Sequence, residues 1–176
     1  GCGLRGGFRG ACGLREVKSG YAPFVRMLVT MKTSILACLL SLALTSVVGA
    51  AEWKTDFEAA KAAAKKDNRP ILLDFTGSDW CGWCIRMKKD SLTKKEFQEY
   101  AAKNLVLVEV DFPRKAQPAA QKKANQALKN KYDVEGYPTF VLVSAEGKEL
   151  GRQVGYVAGG PEAFIAKIEQ WRKAAK

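Results

Sequence analysis

The 176-residue sequence has no histidine, and its cysteines number only five. Cys2, Cys12 and Cys38 fall within residues 1–50, so the rest of the chain holds Cys81 and Cys84 alone. Two cysteines without histidine fall short of the four ligands that a structural zinc site needs. Exported chains commonly use cysteine for bridges between distant segments, but a single pair three residues apart excludes such a framework. As a staple the pair would contribute little, because closing so short a loop removes little entropy from the unfolded chain. A long apolar run is also lacking. The stretch SILACLLSLALTSVV, residues 34–48, is shorter than the roughly 20 residues that span a bilayer, and the chain turns polar straight after it. No internal repeat and no second domain can be read.

The first fifty residues look unlike the rest. Residues 1–30 begin without methionine, are rich in Gly and Arg, and show neither helical nor strand period. They are expected to be a leader or a mis-assigned N-terminal extension, disordered and outside the fold. Met31 opens a different pattern: Lys32 as a short positive region, the apolar stretch, then Val48-Gly49-Ala50 as a small-residue cleavage site. Residues 31–50 thus read as a secretory signal peptide cut near Ala50, leaving one domain over residues 51–176. A retained membrane anchor is the alternative. Ile35-Leu36-Ala37-Cys38 loosely resembles a lipid-attachment box, but cutting there would leave almost no apolar region after Met31.

Removing this segment lowers the charge. Residues 1–50 hold six basic residues and one acid, which leaves 23 basic and 17 acidic residues, a net +6 in place of +11. In stretches such as KTDFEAAKAAAKKD the two signs are interspersed, the pattern of a solvated helix face. No nucleic-acid partner is expected, and the chain is expected to be monomeric.

Along the mature chain, Phe57, Ala60 and Ala64 recur at helical spacing, with Thr55 or Asp56 able to cap the start and Asn68-Arg69-Pro70 ending the helix. Ile71-Leu72-Leu73-Asp74-Phe75 suits a strand covered on both faces. After a turn at residues 76–80, a helix is predicted from Cys81 to about Lys89, and another from Thr93 to Lys103 with Phe97 and Tyr100 inward. Residues 105–112 read as a strand, 113–118 as a loop and 119–131 as a polar helix. Residues 139–143 form a strand, and Glu146-Gly147-Lys148 turn the chain into another at 150–156. Pro161 starts a last helix with Phe164, Ile165, Ile168 and Trp171 as its apolar stripe. The pattern predicts an α/β fold, a mixed four-stranded central sheet with helices on both faces and an extra N-terminal helix.

A thiolate, not a thiol, attacks a disulfide, so a redox cysteine needs a lowered pKa. At the first turn of a helix, free backbone N–H groups point at the Cys81 sulfur, and the helix dipole adds at most ~2 kcal/mol. Cys84, one turn on, lies on the same face and can attack a mixed disulfide formed at Cys81. Cys81 is then the nucleophile and Cys84 the resolving residue. The position of this C-x-x-C after a buried strand strengthens the redox reading.

Ile71-Leu72-Leu73-Asp74-Phe75 ahead of Trp80-Cys81-Gly82-Trp83-Cys84, followed by Lys131-Tyr132-Asp133-Val134-Glu135-Gly136-Tyr137-Pro138-Thr139-Phe140, resembles the thioredoxin family. The likeness covers roughly residues 53–173. It implies a thioredoxin fold, with Pro138 as the family's cis-proline opposite the cysteines and the backbone at Tyr137 binding substrate peptide as an added strand. Trp80, Gly82, Trp83 and Thr139 complete the implied substrate surface. The family's buried acid, which helps move the proton of the second cysteine, falls on Asp74, with Asp79 a lesser candidate and a satisfied structural acid the alternative. No metal is expected, and no cofactor beyond the Cys81–Cys84 disulfide.

Two departures stand out. Thr76-Gly77-Ser78-Asp79 is one residue longer than the family's link, and the segment from Asp111 to Pro138 carries surplus at residues 113–126, read as a solvated basic helix with an extension of the substrate surface as the alternative. Oxidants and isomerases of this fold commonly place histidine between the cysteines. Gly82-Trp83 instead points toward a reductase, with Trp83 offering an aromatic face to a partner. Disulfide-containing client proteins in a bacterial periplasm, and a membrane-embedded thiol donor, are the implied partners. The alternatives are an oxidase or isomerase of the same fold, copper(I) handling through Cys81, Cys84 and Met87, and a non-catalytic peptide-binding module.

Overall fold

The computed structural model describes residues 51–174. The extension, signal segment and cleavage point expected at residues 1–50 lie outside the described residues.

Among the described residues, five strands form one mixed sheet in the order β1-β3-β2-β4-β5. β2 (Ile71–Thr76) is central and buried along its length, as its continuous apolar sequence requires. It pairs in parallel with β3 (Val106–Asp111), setting Asp74 beside Glu109, and antiparallel with β4 (Thr139–Val143), setting Phe75 beside Thr139. β5 (Glu149–Val154) closes one edge antiparallel to β4. Sequence periodicity predicts four strands; the fifth, β1 (Trp53–Lys54), is a correction to that count. Two residues carry no period, and β1 is a strand only through its parallel pairing with Leu107 and Val108.

Between the strands run α1 (Phe57–Asp67), α2 (Gly82–Met87), α3 (Lys95–Asn104), α4 (Ala119–Lys131) and α5 (Gly160–Ala174). Asp56 caps α1, its Oδ1 accepting from the Glu58 and Ala59 amides at 2.8 and 3.0 Å. Asn68 ends it with φ 51°, the left-handed conformation that asparagine tolerates. The helix opened by the cysteines departs from expectation, because after Met87 it widens into a π-helical turn, Lys88–Leu92. Thr93 closes that turn, donating to the Lys88 carbonyl from both its amide (3.0 Å) and its hydroxyl (2.9 Å). The extra residue turns Ser91 and Leu92 inward.

Side chains alternate across β2 and divide the core in two. Ile71, Leu73 and Phe75 pack with Phe57, Leu128 and Tyr132 beneath α1 and α4. Leu72 packs on the opposite face with Met87, Phe97, Phe140 and Phe164, beneath α2, α3 and α5. The Phe164 ring centroid lies 4.7 Å from that of Phe140 and 5.7 Å from that of Phe97. Burying each such side chain is worth about 1.5–3 kcal/mol. The last helix buries Phe164 and Ile168, while Ile165 and Trp171 are half-covered. Alternation also puts Asp74, two residues from Leu72, on the face that carries the cysteine helix.

Candidate active site

Cys81 is the N-cap of α2, and its Sγ accepts the Cys84 amide N–H at 3.2 Å. The two sulfurs are joined in a disulfide with Cα atoms 5.2 Å apart, and both residues are largely buried. A Cβ at Gly82 would meet nothing within 4 Å, so the space beside the first turn is open. The bond is thus sheltered from behind and approachable over Gly82.

Asp74 is only 6% exposed, and its Oδ1 is buried with no hydrogen-bond partner among the protein groups. Burial pushes its pKa well above the ordinary carboxylate range; neighbouring Glu109 and Asp111 push the same way, and Lys88 opposes them. Lys88 also pairs with Glu109 at 3.6 Å. Asp74 thus lies on the cysteine face of the sheet with its Oδ1 unpartnered and its proton affinity raised.

The Tyr137–Pro138 peptide bond is cis. Since Phe75 lies opposite Thr139, Pro138 sits beside the end of β2, where the chain turns toward Cys81. Pro138 and Thr139 are buried, the Pro138 carbonyl accepts the Gly155 amide at 2.8 Å, and the Thr139 hydroxyl donates to the Gly136 carbonyl at 2.8 Å. Tyr137 is half-buried between two rings, edge-on to Trp80 at 5.8 Å and tilted against Phe112 at 5.3 Å.

A family model of the thioredoxin-like domain matches residues 57–172. The chain belongs to this family. Among characterised relatives, the disulfide bond reductase DsbH of Chlamydia pneumoniae is 45% identical over 119 residues, covering 67% of this chain and 70% of that protein. The thioredoxin-related protein DsbJ of Chlamydia pneumoniae is 29% identical over 141 residues, which cover 79% of this chain but only 40% of that protein. A solved DsbH oxidoreductase superposes with a TM-score of 0.67 at 43% identity, over 71% of this chain and 86% of that one. With its paired cysteines, the chain is a thioredoxin-like thiol:disulfide oxidoreductase.

The link at residues 76–79 and the segment that follows β3, read in the sequence as two separate departures, are bound to each other. Asp111 accepts the Ser78 amide at 2.9 Å and the Ser78 hydroxyl at 2.6 Å. The Trp80 indole N–H donates to the Phe112 carbonyl at 2.8 Å. Asp79 accepts the Arg114 and Lys115 amides at 3.0 and 3.2 Å, and the first of these bonds leads in holding its carboxyl below the usual range. Exposed and committed to those amides, Asp79 is a loop cap and is set aside as a proton acceptor. Gly77 must be glycine here, because a Cβ would lie 2.5 Å from the Trp80 ring.

On the other side of the cysteines, Trp83 is 56% exposed and tilts against Tyr156 at 5.5 Å. The Arg86 guanidinium lies over both rings, 5.6 Å from Trp83 and 4.9 Å from Tyr156. Asp90 Oδ2 accepts from Arg86 at 3.2 Å and from the Tyr156 hydroxyl at 2.9 Å, which fixes the platform on which Trp83 rests. Met87, weighed above as a metal ligand, is fully buried among Leu72, Phe97 and Phe140. Among the described residues no cluster of three or more Cys, Asp or Glu could hold a metal.

Sequence reasoning missed Glu109, Lys88, Phe112, Arg86 and Tyr156. Arg86 and Asp90 stand four apart on one helix face, a spacing that could have revealed their pairing. The rest are brought in by strand register and loop contacts, for which the sequence carries no local mark.

Proposed function

We propose that the chain acts as a reductase of disulfides in exported proteins, with Cys81 attacking and Cys84 resolving. The observation that carries this reading is the cysteine pair at the N-cap of α2, with the buried, unpartnered Asp74 carboxylate on the same face of the sheet.

The exchange runs in two steps that balance. The Cys81 thiolate attacks one sulfur of the client disulfide; a Cys81–client bond forms, the client S–S bond breaks, and one client thiolate departs. Asp74 takes the proton of Cys84, whose thiolate attacks Cys81 Sγ and releases the second client sulfur. The client gains two electrons and the protein is left with the Cys81–Cys84 disulfide. A dithiol donor must then reduce that bond. In an exported setting, as the secretory pattern of residues 31–50 suggests, the donor would be a membrane-embedded thiol relay, and a bacterial periplasm is the compartment that fits. Tyr137, Pro138 and Thr139 supply the edge along which a client peptide lies, and Trp80, Gly82 and Trp83 the rim above the disulfide. The absence of histidine beside the cysteines supports reduction over oxidation, as does the name reductase borne by a relative at 45% identity.

The test is a pair of variants assayed on a disulfide-bonded protein. Cys84→Ser should accumulate a mixed disulfide that dithiothreitol releases, and Cys81→Ser should neither trap the client nor turn over. Undiminished exchange by Cys81→Ser would refute the reading.

A further inference from the structure

Residues 112–131 contain six basic side chains, Arg114, Lys115, Lys122, Lys123, Lys129 and Lys131, and no acidic one. Residues 51–176 carry 23 basic and 17 acidic residues, so outside this stretch the signs balance at 17 each. The whole positive excess of the domain therefore lies on one loop and one helix, a stretch that includes the surplus at residues 113–126.

A merely solvated face would be expected to mix its charges, as the Glu58–Lys61 pair on α1 and the Lys95–Glu99 pair on α3 do. Among the described residues, none of the six cations forms a salt bridge with a carboxylate. The two acids beside the loop are engaged elsewhere, Asp79 with the Arg114 and Lys115 backbone amides and Asp111 with Ser78. The stretch is also tied to the redox centre. Arg114 lies over the Trp80 ring at 5.6 Å, and Lys129 over Tyr137 at 5.3 Å, next to Cys81 and Pro138 respectively. A cleft of about 390 Å³, lined by Phe112, Pro113, Arg114, Lys115, Gln117 and Lys122, joins the loop cations to those of α4. The cations thus run from the disulfide's rim down one side of the domain.

We propose that residues 112–131 form a docking surface for an acidic polypeptide segment flanking the client's disulfide. The proposal rests on the exchange reading above, and names the client's chemistry. A protein partner suits this surface better than a nucleic acid, because it abuts a centre that acts on disulfides. Its rings, moreover, are packed edge-on or tilted against one another and do not form a row of parallel faces on which successive bases could stack. Clustered charge of one sign raises the local concentration of the opposite sign and speeds encounter about 10- to 1000-fold at low salt.

Two synthetic peptides with the same intramolecular disulfide, one flanked by glutamates and one by lysines, test this. The pre-reduced protein is mixed with each, and the second-order rate is followed by tryptophan fluorescence. The glutamate peptide should react about tenfold faster at low ionic strength, and the ratio should fall toward one at ~0.5 M salt as screening shortens the range of the field. In Lys122→Gln/Lys123→Gln the ratio should drop several-fold. Equal rates for the two peptides in the wild type, or a ratio unmoved by the double substitution, would overturn the proposal while leaving exchange intact. Equal rates together with tight binding of single-stranded DNA or anionic vesicles would likewise overturn it, giving the face to another partner. A reduced protein that acts on neither peptide would overturn the exchange reading and this proposal with it.

Discussion

Replacing Asp74 separates a working acid from a structural one, because the two predict opposite signs for stability. A buried polar atom without a partner costs about 1–3 kcal/mol, and more when charged. Asp74 Oδ1 is such an atom, so Asp74→Leu should raise stability near neutral pH by about 1–3 kcal/mol, or about 4 °C per kcal/mol in Tm for a domain of this size. The same change should slow the resolving step about 100-fold, the low end for a positioned base. The pH dependence has a definite sign. With its folded-state pKa raised by burial, Asp74 keeps a proton that the unfolded chain releases near ~3.9. Its contribution to stability is fully present below that value and is lost as pH rises through the folded pKa. Asp74→Asn should remove this fall, and remove from the exchange rate an acid limb lying above the ordinary carboxylate range. Thermal melts from acid to neutral pH and single-turnover release of a trapped client read both effects. If Asp74→Leu were less stable than the wild type and exchanged at an unchanged rate, Asp74 would be a satisfied structural acid and the reasoning would fail.

Asp79→Ala should free the Arg114 and Lys115 amides, seen as faster hydrogen exchange at those two positions, with a small drop in Tm and the resolving step unchanged; slower resolution would restore Asp79 as a proton acceptor. Phe140→Ala should cost about 3–5 kcal/mol in denaturant unfolding, because Phe140 is fully buried against Phe164. A loss under about 1 kcal/mol would mean that the face of the core beneath the cysteine helix is far looser than its packing indicates.

The residues legible in the sequence are those whose meaning is local. Cys81 and Cys84 stand one turn apart, Asp74 interrupts an apolar strand, and Pro138 opens another. Each signals its role without knowledge of what lies across the sheet. Asp79 is the counterexample: from the sequence it is one more acid near the cysteines, and only contacts to residues 35 and 36 positions away make it a loop cap. The longer link and the surplus loop read as separate departures for the same reason, since Ser78 and Asp111 are joined by folding alone. β1 escaped because its two residues become a strand only beside β3. The π-helical turn at Lys88–Leu92 escaped because it depends on Thr93 reaching one residue further back than an α-helix would.

The central claim is that this dithiol gives electrons rather than takes them, and its reduction potential tests that most directly. Equilibrating the Cys81–Cys84 pair against glutathione or dithiothreitol buffers, with tryptophan fluorescence as the readout, yields the value. A reductase of this kind should lie close to thioredoxin, about −270 mV. A value close to about −120 mV, that of a strong disulfide-forming oxidant, would reverse the direction of exchange and contradict the account.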